Sequence, residues 1–277
     1  MQYGKKAVTR MVSGERASYE RPEWAATAAR HRVVYRFAQH FAPDRQVVEI
    51  GCGAGYGAHL IAQVADRVLA IDYDAEAVAV ADQSWRADRL VFRVADAMSL
   101  SAADIRCDVL VSLQVLEHLP DARRFAALVA EATKACGVCI LSTPNALQSF
   151  GENPYHVHEY TPPELEELLS EFFPVVDMYG VQASERALAY HSRRGRAVER
   201  LLALDFLRLR RILPQTWVRR IGGFLGERVK QHLMRSGPRL SSDTWEDEYR
   251  VATGNLEDAL DLVAVCSHAA EHESGML

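Results

Sequence analysis

The chain has 277 residues, of which 49% are hydrophobic and 25% are charged, as is ordinary for a folded globular protein. This composition excludes a disordered chain, a collagen-like fibre and a disulfide-stapled miniprotein. The 32 basic and 37 acidic residues give a net charge of −5, so the protein as a whole is not suited to binding DNA. Five scattered cysteines, with no apolar leader and no transmembrane stretch, predict a cytoplasmic location.

Residues 1–44 begin with a polar stretch and continue with a helical pattern around Trp24–Phe41, so we expect an N-terminal helical cap. From about Val47 to Thr143, short β-branched runs alternate with longer helical patterns. The predicted strands are Val47–Ile50, Val68–Ile71, Leu90–Val94, Val109–Ser112 and Val138–Ser142, and the predicted helices are Ala58–Ala65, Ala75–Trp85 and Asp121–Lys134. Nearly continuous apolar strands that alternate with helices predict an α/β fold with a doubly wound parallel sheet.

The C-terminal part is predicted to extend this sheet. A loop after Thr143 leads to a predicted helix, Pro162–Glu171, and then to a predicted strand, Val175–Tyr179. The next strand-like run is Leu260–Cys266, which can pair antiparallel with Val175–Tyr179 as a terminal hairpin.

Between these two strands the sequence is helical and basic. Two helical blocks, Ala187–Ile212 and Trp217–Leu233, are broken by Pro214. From Ser184 to Ser236 there are 13 basic and four acidic residues, a net charge of +9 that leaves −14 for the remainder of the chain. This charge favours an anionic acceptor, although the solvated faces of amphipathic helices would carry the same pattern.

The strongest local signal is a glycine-rich turn that follows the first strand, in the sequence VVEIGCGAGYG from Val47 to Gly57. Such a turn lets the backbone approach a ligand closely at the carboxyl ends of parallel strands. The dinucleotide fingerprint requires glycine where this chain has Tyr56, which disfavours NAD. Asp72 ends the second strand, 21 residues after Gly51, and a carboxylate there can accept both hydroxyls of a ribose.

The turn resembles the first motif of class I S-adenosylmethionine-dependent methyltransferases. The exit of the third strand, Val94–Met98, is similar to the adenine site of that family, and the run DVLVSLQVLEHL at Asp108–Leu119 is close to its fourth motif. The segment Tyr155–Pro162 resembles a subgroup that acts on small molecules and sugars, and the segments around Ser13–Arg16 and His31–Ala38 resemble the N-terminal cap of that subgroup.

The resemblance implies S-adenosylmethionine as the cofactor and a Rossmann-like, seven-stranded sheet with a reversed last strand. The core would comprise residues 45–182 and 257–270, and residues 183–256 would form a helical insertion between strands six and seven that serves as a substrate lid. The cofactor-binding residues implied are Arg16, His31, Glu49, Gly51, Cys52, Gly53, Gly55, Asp72, Tyr73, Asp96, Ala97, Leu113, Gln114 and His118. Of these, Arg16 and His31 are expected to reach the carboxylate of the cofactor.

Three histidines, His118, His156 and His158, fall on loops expected at the mouth of this site, and each can act as a general base near neutral pH. Of these, His156 or His158 is the expected base. Together with Glu117 they could also bind a divalent metal, as in the small-RNA-terminus methyltransferases that this motif resembles. Those enzymes have a glutamate where this chain has Gln114, and a neutral amide is a weak ligand for a hard cation. We therefore predict no metal.

We predict a methyltransferase that modifies a hydroxyl or amine of a small-molecule acceptor, such as a sugar or a specialised, antibiotic-type metabolite. The alternatives are a metal-dependent RNA-terminus 2'-O-methyltransferase, a methyltransferase for a lipid- or carrier-linked anionic acceptor, a non-catalytic cofactor-binding partner and an NAD-dependent dehydrogenase. The oligomeric state stays open, with a homodimer among the alternatives.

Overall fold

The computed structural model describes residues 25–149, 153, 155–203 and 245–269. Its helices are α1 (Ala25–Gln39), α2 (Tyr56–Ile61), α3 (Ala75–Ser84), α4 (Ala122–Ala132), α5 (Pro162–Ser170) and α6 (Glu185–Ala203). Its strands are β1 (Gln46–Ile50), β2 (Arg67–Asp72), β3 (Leu90–Val94), β4 (Cys107–Leu113), β5 (Thr133–Pro144), β6 (Val175–Ala183), β7 (Tyr249–Ala252) and β8 (Asp261–Ser267).

All eight strands join one mixed sheet in the order β3-β2-β1-β4-β5-β8-β6-β7. Strands β1 to β5 are parallel to one another, whereas β8 runs antiparallel to both β5 and β6. After β3 the chain crosses from one side of β1 to the other to form β4, which makes the carboxyl ends of β1 and β4 a topological switch point. Ligands of open α/β sheets bind in the crevice at such a point.

The sheet has eight strands rather than the seven that the sequence predicted. The additional strand, β7, pairs antiparallel with β6 and lies within residues 183–256, all of which had been assigned to the helical insertion. Four residues at a sheet edge, with an exposed Arg250, give too short an alternation to predict a strand. Helix α6 overlaps the first part of the first predicted helical block, Ala187–Ile212. The rest of that block and the second block, Trp217–Leu233, lie outside the described residues.

Alternate side chains of each central strand pack on opposite faces of the sheet, which explains why the strands are apolar almost throughout. Val47 and Val109 join a core beneath α1 and α2, whereas Val48 and Leu110 join a second core beneath α4 and α5. Among the described residues, no helix combines the length and the apolar character that crossing a bilayer would require.

Helix α1 is held on the sheet by apolar packing and by ion pairs. Arg32 Nη1 lies 3.0 Å from Glu246 Oε2, and Arg36 pairs with the same carboxylate. The ring of Tyr35 packs directly against Gly57 in α2, where an added Cβ would lie 1.9 Å from the ring. The absence of a side chain at Gly57 therefore sets how closely α1 approaches the glycine turn.

We expect Gly57→Ala to destabilise the protein by about 2 kcal/mol, because the new methyl group would overpack against Tyr35. Urea unfolding followed by circular dichroism measures this change. In a Tyr35→Ala background the same substitution should cost little, since alanine is favoured over glycine inside a helix. An equal loss of stability in both backgrounds would contradict this explanation.

Candidate functional site

The glycine turn after β1 brings bare backbone to the carboxyl edge of the sheet. Gly51 has φ +85°, and a Cβ there would lie 2.2 Å from Val115, which follows β4. The amide of Gly51 donates to the carbonyl of Ile71 at 2.7 Å, which ties the turn to β2. Gly53 has nothing within 4 Å of an added Cβ, so its backbone faces open space. A ligand can therefore approach the chain closely at Gly53.

The carboxylate of Asp72 fixes the turn from the end of β2. Its Oδ2 accepts a hydrogen bond from the Gly53 amide at 2.8 Å, and its Oδ1 accepts one from the Asp74 amide at 2.9 Å. The side chain is buried beside the turn, as expected for a group that accepts ribose hydroxyls at this position.

Glu49 is a second buried acid at this edge, one residue before the end of β1. It is 1% exposed, and its Oε1 accepts a hydrogen bond of 2.6 Å from the hydroxyl of Tyr35. Among the described residues, Oε2 has no hydrogen-bond partner. Burial raises the pKa of Glu49 to about 7; the Tyr35 hydrogen bond opposes this shift and the nearby Asp72 adds to it.

The residues predicted to contact adenine follow β3 at the same edge, and Tyr73, also predicted to bind the cofactor, follows β2. Asp96 is exposed and accepts a hydrogen bond of 2.9 Å from the amide of Met98, while Ala97 beside it is buried. Tyr73 is 74% exposed, and Cys52 is buried within the glycine turn. These side chains thus lie around the turn on the side of β2 and β3.

Gln114 follows β4, next to the buried Leu113, and has a positive φ of +57°. Its amide nitrogen lies 3.3 Å from Ser142 Oγ and 3.4 Å from Asp261 Oδ1. Asp261 is fully buried and pairs through Oδ2 with Nε of Arg30 at 2.8 Å. This network ties α1, β4, β5 and β8 together beside the glycine turn.

Sequence reasoning missed Arg30 and Asp261. Asp261 lies in the predicted apolar strand Leu260–Cys266 and was not predicted as a site residue. Its position was the available signal, because the first residue of a reversed strand lies at the same edge as the carboxyl ends of the neighbouring parallel strands. Its register partner in β5 is indeed Pro144, the last residue of that strand.

The predicted contact between His31 and the cofactor's carboxylate requires a positive charge or a donor. Burial, helped by the neighbouring Arg30, lowers the pKa of His31 to about 3, so its imidazole is neutral at physiological pH. The other residue predicted for that contact, Arg16, lies outside the described residues.

The structure brings two of the three candidate base histidines together. The rings of His118 and His156 meet edge to face with centroids 4.9 Å apart. His158 instead contacts the ring of Tyr160, and its Nε2 lies 4.0 Å from Glu164 Oε2 in the first turn of α5. The imidazole of His158 is 53% exposed.

Each ring of the pair is held by specific partners. His118 Nδ1 lies 3.1 Å from the carbonyl oxygen of Tyr155. His156 Nδ1 lies 2.5 Å from Glu159 Oε1, and its Nε2 lies 2.8 Å from the side-chain nitrogen of Asn153. The side-chain oxygen of Asn153 accepts from the amide of Tyr155 at 3.2 Å, which sets the orientation of this side chain.

Glu117 lies beneath the two rings and is 1% exposed. Its Oε2 accepts a hydrogen bond of 3.1 Å from the hydroxyl of Thr143, and its Oε1 lies 3.9 Å from His118 Nε2. Burial raises the pKa of Glu117 to about 7. One ligand atom from each of Glu117, His118 and His156 falls within 4.8 Å of the others, a spacing that could accommodate a metal ion.

Four buried carboxylates, those of Glu49, Asp72, Glu117 and Asp261, thus lie at one edge of the sheet. Asp261 is paired with Arg30. A cationic ligand in this crevice would offset the remaining negative charge, and the sulfonium and ammonium groups of S-adenosylmethionine fit that requirement. The open backbone at Gly53 and the carboxylate of Asp72, which is predicted to accept ribose hydroxyls, fit the same molecule.

Comparison with known proteins identifies the family. The sequence pattern of the methyltransferase domain family matches residues 48–141. A probable S-adenosylmethionine-dependent methyltransferase of Mycobacterium tuberculosis is 33% identical over 249 residues, which span 85% of this chain and 81% of that protein. Another protein of that description, from Mycolicibacterium smegmatis, is 42% identical over 158 residues, 55% of this chain and 61% of that relative.

A solved structure shows the same fold. The S-adenosylmethionine-dependent methyltransferase of Archaeoglobus fulgidus superposes with a TM-score of 0.52 at 17% identity, covering 87% of this chain and 93% of the other. The chain belongs to the S-adenosylmethionine-dependent methyltransferases, and S-adenosylmethionine is its cofactor. This membership favours methyl transfer over the alternative of an NAD-dependent dehydrogenase.

We expect Asp72→Ala to reduce the affinity for S-adenosylmethionine by about a hundredfold. The reason is the loss of the two hydrogen bonds that the ribose hydroxyls would donate to the Asp72 carboxylate. Isothermal titration calorimetry measures the change. Asp74→Ala is the matched control: Asp74 caps α3 by accepting from two amides, so its removal should lower thermal stability and leave the affinity unchanged. Equal affinities for Asp72→Ala and the parent protein would remove Asp72 from the site.

Proposed function

We propose that the protein methylates a hydroxyl group of a small-molecule acceptor and that His118 takes the proton. The single observation that carries this proposal is the contact between His118 Nδ1 and the Tyr155 carbonyl. A carbonyl oxygen can only accept, so Nδ1 carries the hydrogen and Nε2 carries the lone pair. Burial lowers the pKa of His118, which keeps its ring neutral and able to accept a proton.

His156 is held differently and is less suited to be the base. Its Nδ1 donates to the Glu159 carboxylate, and its Nε2 lone pair accepts from the amide of Asn153. Proton transfer to Nε2 would require Asn153 to move away. We therefore assign to His156 the role of packing against His118 and holding the loop over Glu117, whose carbonyl accepts the amide of Val157 at 2.7 Å.

Bound S-adenosylmethionine supplies an activated methyl group on a sulfonium, so the chain has to position the acceptor and remove its proton. Transfer of the methyl group to the acceptor oxygen would form a C–O bond, break the C–S bond of the sulfonium and leave S-adenosylhomocysteine, and His118 Nε2 would take the hydroxyl proton. The carboxylate of Glu117, 3.9 Å away, stabilises the imidazolium that results. An amine acceptor would need no base at this moment, so a histidine poised in this way favours an oxygen nucleophile over nitrogen.

The acceptor class follows from the resemblance to methyltransferases of small molecules and sugars, and the charge of +9 over residues 184–236 supports an anionic group on it. Most of these residues lie outside the described part of the chain, so this support comes from the sequence. A specialised metabolite, nucleotide-linked sugar or carrier-bound intermediate has this chemistry. We propose the cytoplasm as the compartment, which is consistent with five free cysteines.

We expect His118→Ala to lower kcat by about a hundredfold or more, as is typical when a general base is removed. The acceptor is first identified by mass spectrometry of sugar-containing metabolite pools incubated with labelled cofactor. His158→Ala is the matched control, and its kcat should stay within about twofold of the parent value because the ring is exposed beside Glu164. If His118→Ala were fully active, His118 would not be the base, and the protein would catalyse methyl transfer by positioning the acceptor alone.

A second candidate function is favoured by the cluster of Glu117, His118 and His156. If these groups bind a divalent cation, the protein would resemble the RNA-terminus 2'-O-methyltransferases. Gln114, which stands where those enzymes have an anionic ligand, offers only a neutral amide, whose nitrogen lies near Ser142 Oγ and Asp261 Oδ1. A neutral amide is a weak ligand for a hard cation, so our prediction remains that no metal is needed.

We therefore expect methyl transfer to the identified acceptor to be unaffected by EDTA. The same assay with a single-stranded RNA oligonucleotide should show no product. Loss of activity in EDTA that added Mg²⁺ or Mn²⁺ restores, together with methylation of the RNA terminus, would establish the second candidate in place of the first.

A further inference from the structure

The hydroxyl of Tyr35 links the N-terminal helix α1 to the acid at the end of β1. Tyr35 and Glu49 are both buried, and the hydroxyl lies 2.6 Å from Glu49 Oε1. The ring packs on the backbone of Gly57 at the start of α2, so three elements fix its position. A contact this short between buried groups holds the carboxylate in one orientation.

The other oxygen of Glu49 is the unusual feature. Oε2 is buried, and it has no hydrogen-bond partner among the residues that the structure describes. A buried carboxylate oxygen without a donor costs free energy, and a bound ligand is one source of the missing donor. Glu49 lies two residues before Gly51, at the edge of the sheet where the cofactor is expected.

We propose that Tyr35 is a positioning residue of the cofactor site, which holds Glu49 through Oε1 so that Oε2 meets a donor on S-adenosylmethionine. The proposal rests on the assignment of Glu49 to cofactor binding. It gives α1 a role beyond covering the sheet, since the helix carries the group that orients a cofactor ligand.

Tyr35 also sets the pH range over which Glu49 is ionised. The titratable groups that face Glu49 are Tyr35 from α1 and Asp72 from β2. Burial, and secondarily the charge of Asp72, raise the pKa of Glu49, whereas the Tyr35 hydrogen bond lowers it. A donor with positive charge binds the ionised carboxylate more tightly, so cofactor affinity should rise with pH and level off above about 7. Without the hydroxyl, the same rise should occur at higher pH.

The experiment measures the dissociation constants of S-adenosylmethionine and S-adenosylhomocysteine by calorimetry between pH 5.5 and 7.5. The variant is Tyr35→Phe, which removes the hydroxyl and keeps the ring on Gly57. The control for packing is Val34→Ala, which truncates a buried neighbour in α1 and leaves the hydroxyl in place. Glu49→Gln and the double variant Tyr35→Phe/Glu49→Gln complete a double-mutant cycle, which measures the coupling between Tyr35 and Glu49 in cofactor binding.

We expect Tyr35→Phe to weaken binding about tenfold at pH 7, in keeping with the loss of one hydrogen bond to a charged group. The rise of affinity with pH should also occur at higher pH than in the parent protein. Glu49→Gln should weaken binding and abolish the pH dependence, and in that background Tyr35→Phe should have no further effect. Val34→Ala should leave the pH profile in place.

The possible results distinguish the role of Tyr35 from the assignment of Glu49 to the cofactor site. Tyr35→Phe with the parent affinity at every pH, or with a uniform loss that Val34→Ala reproduces, would overturn the role of Tyr35 while Glu49 stays in the site. Parent-like binding by Glu49→Gln would remove Glu49 from the cofactor site and the role of Tyr35 with it. Absence of cofactor binding by the parent protein would overturn the proposed function itself.

Discussion

The hydrogen bond between the carboxylate of Asp72 and the amide of Gly53 is the constraint on which the site depends. It joins the end of β2 to the turn after β1 and keeps the backbone of Gly53 facing open space. The parallel register of β1 and β2 places the two groups side by side. Because the sheet reverses its winding direction beside β1, a crevice that can hold a nucleoside forms where this turn leaves the sheet.

The charges at this edge explain why a cationic cofactor suits the crevice. The carboxylates of Glu49 and Glu117 are buried, and burial raises the pKa of each to about 7. Both groups therefore lie close to their titration point, where a positively charged ligand favours the ionised form. The other two carboxylates are held by specific partners: Asp72 accepts hydrogen bonds at the glycine turn, and Asp261 pairs with Arg30. The proposed base and the predicted cofactor site are therefore exposed to the same group of buried charges.

Much of this arrangement could be predicted from the sequence, because buried parallel strands and a glycine turn have local signatures. The strands around Val48 and Leu110, the turn at Gly51 and the acid at Asp72 follow from such patterns. The short edge strand β7, the Tyr35–Glu49 bond and the Arg30–Asp261 pair depend on contacts between distant segments, and no spacing along the chain reveals them. The separation of His158 from His118 likewise arises from the path of the loop before α5.

The most direct test of this account is a calorimetric titration of the purified protein with S-adenosylhomocysteine, with NAD titrated in parallel. A crevice formed by the Asp72-bound turn should take up one molecule of the sulfur nucleoside per chain and show no measurable heat with the dinucleotide. Binding of NAD without binding of S-adenosylhomocysteine would contradict the account at its foundation.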